Sequence, residues 1–227
     1  MNPILVAHGT RKAHGVAMIG DLADRVSAEL GVAVRTAFVD VLGPTPADVL
    51  RSLGGAPAVL MPAFLAGGYH VRVDIPAHVA ASGHADVVVT DPLGPSAQLV
   101  HVLTDRLVES GWRPRDSVVL AAAGTSDPSA RRDLRITAAM LSAAIGSRVE
   151  LAYAATGEPR VADVVSDLRG RGAKRVVVAS YLLADGLFQD RLRASGADVV
   201  TEPLGTHAGV ARLIAGRFRR ARLALAA

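Results

Sequence analysis

The sequence predicts an α/β protein made of two tandem domains, each a small parallel sheet flanked by helices. Short runs rich in Val, Ile and Leu alternate with longer amphipathic runs along the 227 residues. Near-continuous apolar strands separated by helices are typical of parallel sheets that are covered on both faces. The same landmarks also occur twice in the same order. The repeat boundary falls near the helix-ending Gly111 and the following Pro114, which divides the chain into domains 1–113 and 114–227.

The β-branched runs predict strands, and the amphipathic runs between them predict helices. In the first half the strands are Ile4–Ala7, Val32–Val41, Ala58–Pro62 and Asp86–Thr90, and the helices are Val16–Leu30, Pro46–Ser52, Val71–Ala81 and Gln98–Ser110. In the second half the strands are Ser117–Ala121, Arg148–Ala154, Arg175–Ser180 and Asp198–Thr201, and the helices are Ser129–Ile145, Arg160–Arg171, Gly186–Ser195 and Gly209–Leu223.

The second copy of the repeat keeps the surrounding sequence pattern but lacks two histidines of the first copy. The segment around His8 returns in the second half with Ala123 at the histidine position. The segment that begins at Pro62 and ends at His70 returns with Phe188 in place of His70. We therefore expect one working site, in the first half, and a second half that serves the structure.

Three candidate site residues follow three successive strands of the first predicted sheet. His8 comes directly after the first strand, Asp40 ends the second, and the loop leading to His70 follows the third. Ligands of open parallel sheets bind beyond the carboxyl ends of the strands, so the topology brings these residues to one rim. Two imidazoles and a carboxylate suit a divalent ion such as Co²⁺, Fe²⁺, Ni²⁺ or Zn²⁺, and imidazole also accepts a proton near neutral pH.

Each of these residues also has a structural interpretation. A histidine in a strand-to-helix turn can be a hydrogen-bonded structural group, and Asp40 can cap the turn that contains Leu42–Pro44. Asp74, ahead of Pro76, suits a first helical turn, and we interpret it as a partner of the helix dipole.

Glycines, a hydroxyl and guanidinium groups near the two histidines suit an anionic, flat ligand. A strand-to-helix turn offers backbone N–H groups to an anion, and arginine offers a forked donor to a carboxylate. An aromatic ring beside His70 can form the wall of a flat pocket or simply pack. The residues that we expect to contact a substrate are Gly9, Thr10, Arg11, Tyr69 and Arg72.

Composition excludes several classes of function. The chain has no cysteine, so disulfides, thiolate catalysis and zinc–thiolate sites are ruled out. No phosphate-binding loop and no GxGxxG fingerprint is present, so neither ATP nor a nicotinamide cofactor is expected.

The net charge of +4 is concentrated on the last helix, which we interpret as a solvated face rather than a nucleic-acid surface. No apolar run reaches the ~18 residues of a membrane span and no signal peptide is visible, so we expect a cytoplasmic protein. The two fused copies of the repeat favour a monomer.

At these residues the sequence resembles the CbiX/SirB group of class II chelatases, the sirohydrochlorin chelatases. The first motif is His-Gly-[Ser/Thr]-Arg, here His8–Arg11, and the second is Pro-x-x-Leu-x-x-Gly-x-His followed by Asp-Ile-Pro, here Pro62–Pro76. The resemblance covers essentially the whole chain, because long members of this group carry a fused, degenerate second copy.

The resemblance implies two chelatase-type domains that face each other across a cleft holding a sirohydrochlorin-type tetrapyrrole. It implies ATP-independent insertion of Co²⁺ or Fe²⁺, or of Ni²⁺, with loss of two pyrrole protons, in cobalamin or sirohaem biosynthesis. His8 and His70 match the group's paired metal-binding and proton-accepting histidines, and Asp40 stands where the group often has Glu. The metal is a substrate, and no permanent cofactor is expected. The alternative is a non-catalytic metal carrier or tetrapyrrole-binding protein on the same scaffold.

Overall fold

The computed structural model describes residues 1–10, 12–205 and 207–225, and within these ranges the strands and helices follow the predicted order. The strands are β1 (Asn2–Ala7), β2 (Arg35–Phe38), β3 (Ala58–Pro62), β4 (Val87–Val89), β5 (Ser117–Gly124), β6 (Val149–Thr156), β7 (Val176–Tyr181) and β8 (Val199–Val200). The α-helices are α1 (Ala13–Leu30), α2 (Pro46–Ser52), α3 (Ile75–Ser82), α4 (Ala97–Glu109), α5 (Pro128–Ile145), α6 (Val161–Gly170), α7 (Leu187–Arg193) and α8 (Ala208–Leu225). A five-residue π-helix, His70–Asp74, leads directly into α3.

The strands form two four-stranded sheets with the same topology. One has the order β2-β1-β3-β4 and the other β6-β5-β7-β8, and every pairing is parallel. The predicted α/β class with a small parallel sheet in each half is therefore confirmed. In both sheets the second strand in sequence lies on one side of the first, and the third lies on the other side.

Two predicted elements have different bounds in the structure. The second strand, expected over Val32–Val41, is reduced to Arg35–Phe38. α1 ends at the left-handed Gly31, and Val41 has a positive φ of 69°, so the chain leaves extended geometry at both ends of the expected run. The helix expected over Val71–Ala81 begins one residue earlier as the π-helix and continues as α3.

Apolar residues from the strands and the flanking helices form the core around the first sheet. All five residues of β3 are buried, as expected for a central strand covered on both faces. Ile4 and Val6 of β1 pack with Leu50 of α2 and Ile75 of α3, and all four are almost completely inaccessible to solvent. This packing holds the carboxyl ends of β1 and β3 in place, and it positions the first turn of α3 beside them.

The chain divides into two compact units that do not coincide with the two sequence halves. One unit comprises Met1–Leu93 with Gly205–Ala227, and the other comprises Gly94–Leu204. In the first unit α8 packs on α1 and β3, and in the second unit α4 packs on α5 and β7. Each unit therefore contains the last helix of the other half. The halves 1–113 and 114–227 remain our proposal for the units of the repeat.

Within the first unit, one arginine of α8 is hydrogen-bonded to the chain that follows β4. The guanidinium of Arg217 donates hydrogen bonds to the backbone carbonyls of Asp91 and Leu93 at 3.2 and 3.1 Å. Burial lowers the pKa of Arg217, because the charged form loses solvation. Across the described ranges, no helix combines the length and the hydropathy that a membrane span needs.

Candidate active site at the carboxyl ends of β1 and β3

The candidate site lies where the order of the first sheet reverses. β1 pairs with β2 on one side and with β3 on the other, and Val6 is opposite Pro62 in the register. The connections that leave β1 and β3 run in opposite directions across the sheet, and such a switch point opens a crevice beyond the strand ends. His8 is the first residue after β1, and the loop that follows β3 leads to His70.

The structure brings the two predicted histidines into contact. The ring centroids of His8 and His70 are 4.5 Å apart, and the ring planes are nearly perpendicular at 89°. His8 is exposed, and the side chain of His70 is about one third exposed, at 34%. Both imidazoles are thus accessible to a ligand at the same point of the sheet edge.

Hydrogen bonds assign the same tautomer to both neutral imidazoles. Nδ1 of His8 lies 3.2 Å from the carbonyl oxygen of Gly9, and Nδ1 of His70 lies 2.5 Å from Oδ2 of Asp74. A carbonyl or an ionised carboxylate can only accept, so each Nδ1 carries the proton and donates it. Each Nε2 is left with a lone pair, which is the form that binds a metal ion or takes up a proton.

Asp74 is a site residue that the sequence interpretation missed. We expected it to serve the helix dipole, but its side chain makes no capping hydrogen bond to α3 and instead accepts from His70. The backbone N–H of Ile75 donates to the carbonyl of His70, the bond that defines the π-helix. The four-residue spacing of His70 and Asp74 could have found the pair, because residues four apart lie on one helical face.

Aromatic rings surround His70 on its other sides. Phe64 stacks on the imidazole at a centroid distance of 5.9 Å and an angle of 30°. Tyr69 meets it edge-on at 6.2 Å and is 60% exposed. A large exposed aromatic beside an accessible imidazole suits a flat ligand, and this geometry favours the pocket-wall interpretation of Tyr69 over simple packing.

Gly9 allows the chain after β1 to pass very close to the chain after β2. Its φ is 100°, and a Cβ at this position would collide with the backbone carbonyl of Asp40. The N–H of Asp40 donates to the carbonyl of His8 at 3.0 Å, which continues the strand pairing by one step. Gly9 is therefore required by the backbone geometry that places His8 and Asp40 side by side.

The carboxylate of Asp40 is engaged locally. Its Oδ1 accepts the N–H of the next residue, Val41, at 2.7 Å. Among the residues that the structure describes, no three His, Cys, Asp or Glu side chains are grouped closely enough to hold a metal ion. The structure thus joins His8 to His70, and it places Asp40 at the same sheet edge without completing a three-ligand set.

The remaining predicted contacts are distributed around this edge. Thr10 accepts the N–H of Lys12 through its hydroxyl at 3.2 Å, so it shapes the turn that leads into α1. Arg72 is exposed on the π-helix. Arg11 lies outside the described residues.

The first turn of α1 differs from that of its counterpart α5. Lys12 occupies the N-cap of α1, and its side chain makes no capping hydrogen bond. In α5 the carboxylate of Asp127 accepts the N–H groups of Ser129 and Ala130. The N-terminal end of α1 therefore suits an external anion better than that of α5, where the chain supplies its own carboxylate.

Comparison with known proteins finds relatives over almost the whole chain. The profile of the CbiX family matches residues 2–110 and again residues 117–221. A sirohydrochlorin ferrochelatase of Priestia megaterium is 24% identical over 235 residues, spanning 95% of this chain and 88% of the relative. A sirohydrochlorin cobaltochelatase of the same organism is 25% identical over 228 residues, spanning 95% of this chain and 73% of the relative.

Solved structures share the fold. SirB from Bacillus subtilis with Fe³⁺ has a TM-score of 0.83 at 20% identity, covering 97% of this chain and 95% of that one. CbiX, the terminal enzyme for sirohaem biosynthesis in denitrifying bacteria, has a TM-score of 0.73 at 21% identity, covering 97% and 99%. The resemblance drawn from the two motifs is confirmed. Because the family profile covers both copies of the repeat, the chain belongs to the CbiX family.

Proposed function

We propose that this protein inserts Co²⁺ or Fe²⁺ into sirohydrochlorin without ATP, using His8 and His70. The observation that carries the proposal is the contact of these two imidazoles, 4.5 Å apart, with both Nδ1 atoms occupied as donors. Support also comes from the family and from its relatives, which are named for iron and for cobalt insertion and match over 95% of the chain.

In the proposed reaction the two histidines act first as ligands and then as bases. The Nε2 lone pairs of His8 and His70 hold the divalent ion next to one face of the macrocycle. As the ion enters the plane of the ring, two pyrrole N–H protons leave. The Nε2 atoms that the ion vacates are in position to accept them, so charge balances at each step. Asp40 is a third candidate ligand, through Oδ2 of its exposed carboxylate.

The carboxylates of the macrocycle would be met by donors around the same edge. The N-terminal N–H groups of α1, the guanidinium of Arg72 and Arg11 are our candidates for these contacts. Tyr69, exposed beside His70, would contact the flat face of the ring. Because Gly9 has no side chain, the macrocycle could approach the backbone closely at the turn formed by Gly9 and Thr10.

The direct test is an insertion assay with sirohydrochlorin and Co²⁺, Fe²⁺ and Ni²⁺ in parallel, without ATP. We expect His8→Ala and His70→Ala each to lower the insertion rate by about 100-fold or more, because each removes a ligand and a proton acceptor. His101→Ala, an exposed histidine on α4, is the matched control and should leave the rate unchanged.

Two results would contradict the proposal. Wild-type insertion rates in the double variant His8→Ala with His70→Ala would remove both histidines from the mechanism. The second result is a sirohydrochlorin spectrum that changes only when protein is present in stoichiometric amounts, with an insertion rate no higher than that of free metal ions. It would show that the protein is a carrier and not an enzyme.

A further inference from the structure

We propose that Asp74 is a positioning residue, which fixes His70 in the tautomer that leaves Nε2 unprotonated. Its side chain is 28% exposed, and Oδ2 lies 2.5 Å from Nδ1 of His70. The inference deepens the proposed function, because it explains how one of the two histidines is kept ready for a metal ion.

A neutral imidazole carries one proton, and the proton can sit on either nitrogen. The hydrogen bond made by one nitrogen decides the state of the other. The carboxylate of Asp74 offers acceptors alone at neutral pH, so it holds the proton on Nδ1. If the proton moved to Nε2, that atom would become a donor, and it could neither bind a metal ion nor receive a pyrrole proton. A carboxylate behind a metal-binding histidine serves the same purpose in many metal sites.

The other groups around His70 cannot replace this carboxylate. Phe64, Tyr69 and His8 contact the imidazole through their rings, which restrict its orientation. Phe64 has no hydrogen-bonding group on its side chain, and the rings of His8 and Tyr69 meet the imidazole edge-on. Asp74 alone among these neighbours is hydrogen-bonded to the imidazole in the structure.

The local backbone also favours a role at the site. The π-helix His70–Asp74 begins at the histidine and ends at the aspartate. Single π-helical turns are rare and occur frequently at functional sites. Asp74 has helical backbone angles, because the π-helix continues into α3, so its carboxylate has no free helix start to cap and accepts from His70 instead.

The second copy of the repeat loses the carboxylate together with the imidazole. Phe188 matches His70, and the residue four positions later is Leu192, which is completely buried. The segment is an ordinary α-helix there, Leu187–Arg193. At this position of the second copy, a leucine buried in the core is compatible with the same fold. The aspartate is thus needed where a histidine stands and is dispensable where none does.

The test compares the isosteric and the conservative variant in full-length, metal-free protein. The amide of Asp74→Asn can donate to Nδ1 and push the proton to Nε2, whereas Asp74→Glu keeps a carboxylate on the turn. Long-range ¹H–¹⁵N spectra at about pH 8, above the ordinary histidine pKa of ~6.5, report the tautomer. Titration with Co²⁺ alone reports the affinity. Asp24→Asn, which removes an exposed carboxylate on α1, is the matched control for charge.

We expect wild-type His70 to be protonated on Nδ1, and Asp74→Asn and Asp74→Ala to weaken Co²⁺ binding by about 10–100-fold. Asp74→Glu should recover part of the affinity, and Asp24→Asn should bind as the wild type does. A purely structural aspartate would tolerate the isosteric asparagine, so the loss in Asp74→Asn separates the two roles. Circular dichroism confirms that each variant is folded.

Wild-type Co²⁺ affinity in both Asp74→Asn and Asp74→Ala would overturn the proposal, because the alanine has no atom that can accept from Nδ1. So would a wild-type spectrum with the proton of His70 on Nε2, a result that does not depend on any variant. Neither readout uses a tetrapyrrole. A failed insertion assay with the expected tautomer would therefore overturn the proposed function and leave the role of Asp74 standing.

Discussion

At the end of β1 the chain carries His8, and at the matching end of β5 it carries Ala123. The difference extends to every group that we place near the metal ion. The matched pairs are His8 and Ala123, Asp40 and Ala155, His70 and Phe188, and Asp74 and Leu192. All four polar side chains of the first half are thus replaced together by apolar ones. We propose that they form one functional set, because the second half keeps the same fold without them.

The backbone around these positions is retained in both halves. Gly9 and Gly124 have φ angles of 100° and 110°, and a Cβ on either would collide with backbone atoms, those of Asp40 just after β2 and those of Thr156 at the end of β6. The N–H of Leu93 donates to the carbonyl of Phe64, and the N–H of Leu204 donates to that of Leu182. Both halves thus share the same backbone geometry, whereas the imidazoles and carboxylates at these matched positions occur in the first half.

The loop after the third strand is held differently in the two sheets. In the second sheet the buried amide of Gln189 donates to the carbonyl of Thr201, and its oxygen accepts the hydroxyl of Ser180. The matching positions in the first half are Val71 and Pro62, whose side chains cannot form these bonds. There the start of the helix carries His70 and Asp74 instead. The side-chain hydrogen bonds of Ser180 and Gln189 therefore have no counterpart at Pro62 and Val71, which lie beside the candidate site.

The largest effect is expected from moving the histidines to the second half. In the His8→Ala, His70→Ala background, Ala123→His with Phe188→His should restore no more than about 1% of insertion activity. An imidazole at position 188 has Leu192 as its neighbour four residues on, and it lacks the carboxylate that fixes the tautomer. The insertion assay with Co²⁺ measures this. Recovery to near wild-type rates would show that the frame and two imidazoles suffice.

An effect on stability of roughly 1–3 kcal/mol is expected from Gly9→Ala and from Gly124→Ala, because each forces a Cβ into a backbone contact at positive φ. Denaturant unfolding followed by circular dichroism measures both. Only Gly9→Ala should also slow insertion, since it displaces the chain beside His8. Gly20→Ala on α1, where a Cβ meets nothing within 4 Å, is the control and should be neutral or slightly stabilising. Equal loss of activity in both variants would count against a site confined to the first half.

An effect of similar size, but confined to stability, is expected from Gln189→Leu. The change leaves the buried hydroxyl of Ser180 and the carbonyl of Thr201 without their partner, at a cost of about 1–3 kcal/mol. Thermal unfolding should show the loss, and the insertion rate of the folded protein should match the wild type. A drop in insertion rate with unchanged stability would assign the second half a part in the reaction that its apolar residues do not suggest.

Most of the strands and helices were predictable, because local hydrophobic patterns and helix-start residues determine them. The fully apolar β3 and the Pro-initiated α2 were predicted with their observed bounds, Ala58–Pro62 and Pro46–Ser52. β2 was predicted too long, because the positive φ of the non-glycine Val41 leaves no mark in the sequence. The exchange of α4 and α8 between the compact units was not predicted. An amphipathic helix shows that it covers a sheet, but it does not show which sheet.

The sheet topology was sufficient to predict which strand ends form the candidate site, but not how its side chains are oriented. The rule for strand ends placed His8 and His70 together, and the rings are in contact. It could not give the direction of a side chain, so Asp74 was assigned to the helix instead of to His70. For the same reason it could not show that Oδ1 of Asp40 accepts the N–H of Val41, which leaves Oδ2 as the candidate ligand atom.

The central claim is that the imidazoles of the first half jointly hold the ion through Nε2. Anomalous diffraction from crystals soaked in Co²⁺ tests it most directly. We predict one cobalt peak about 2 Å from Nε2 of both His8 and His70, a typical distance for a metal–imidazole bond, and no peak at Ala123 and Phe188. A peak bound through Nδ1, a peak in the second half, or two rings that turn away from a common ion would contradict the account.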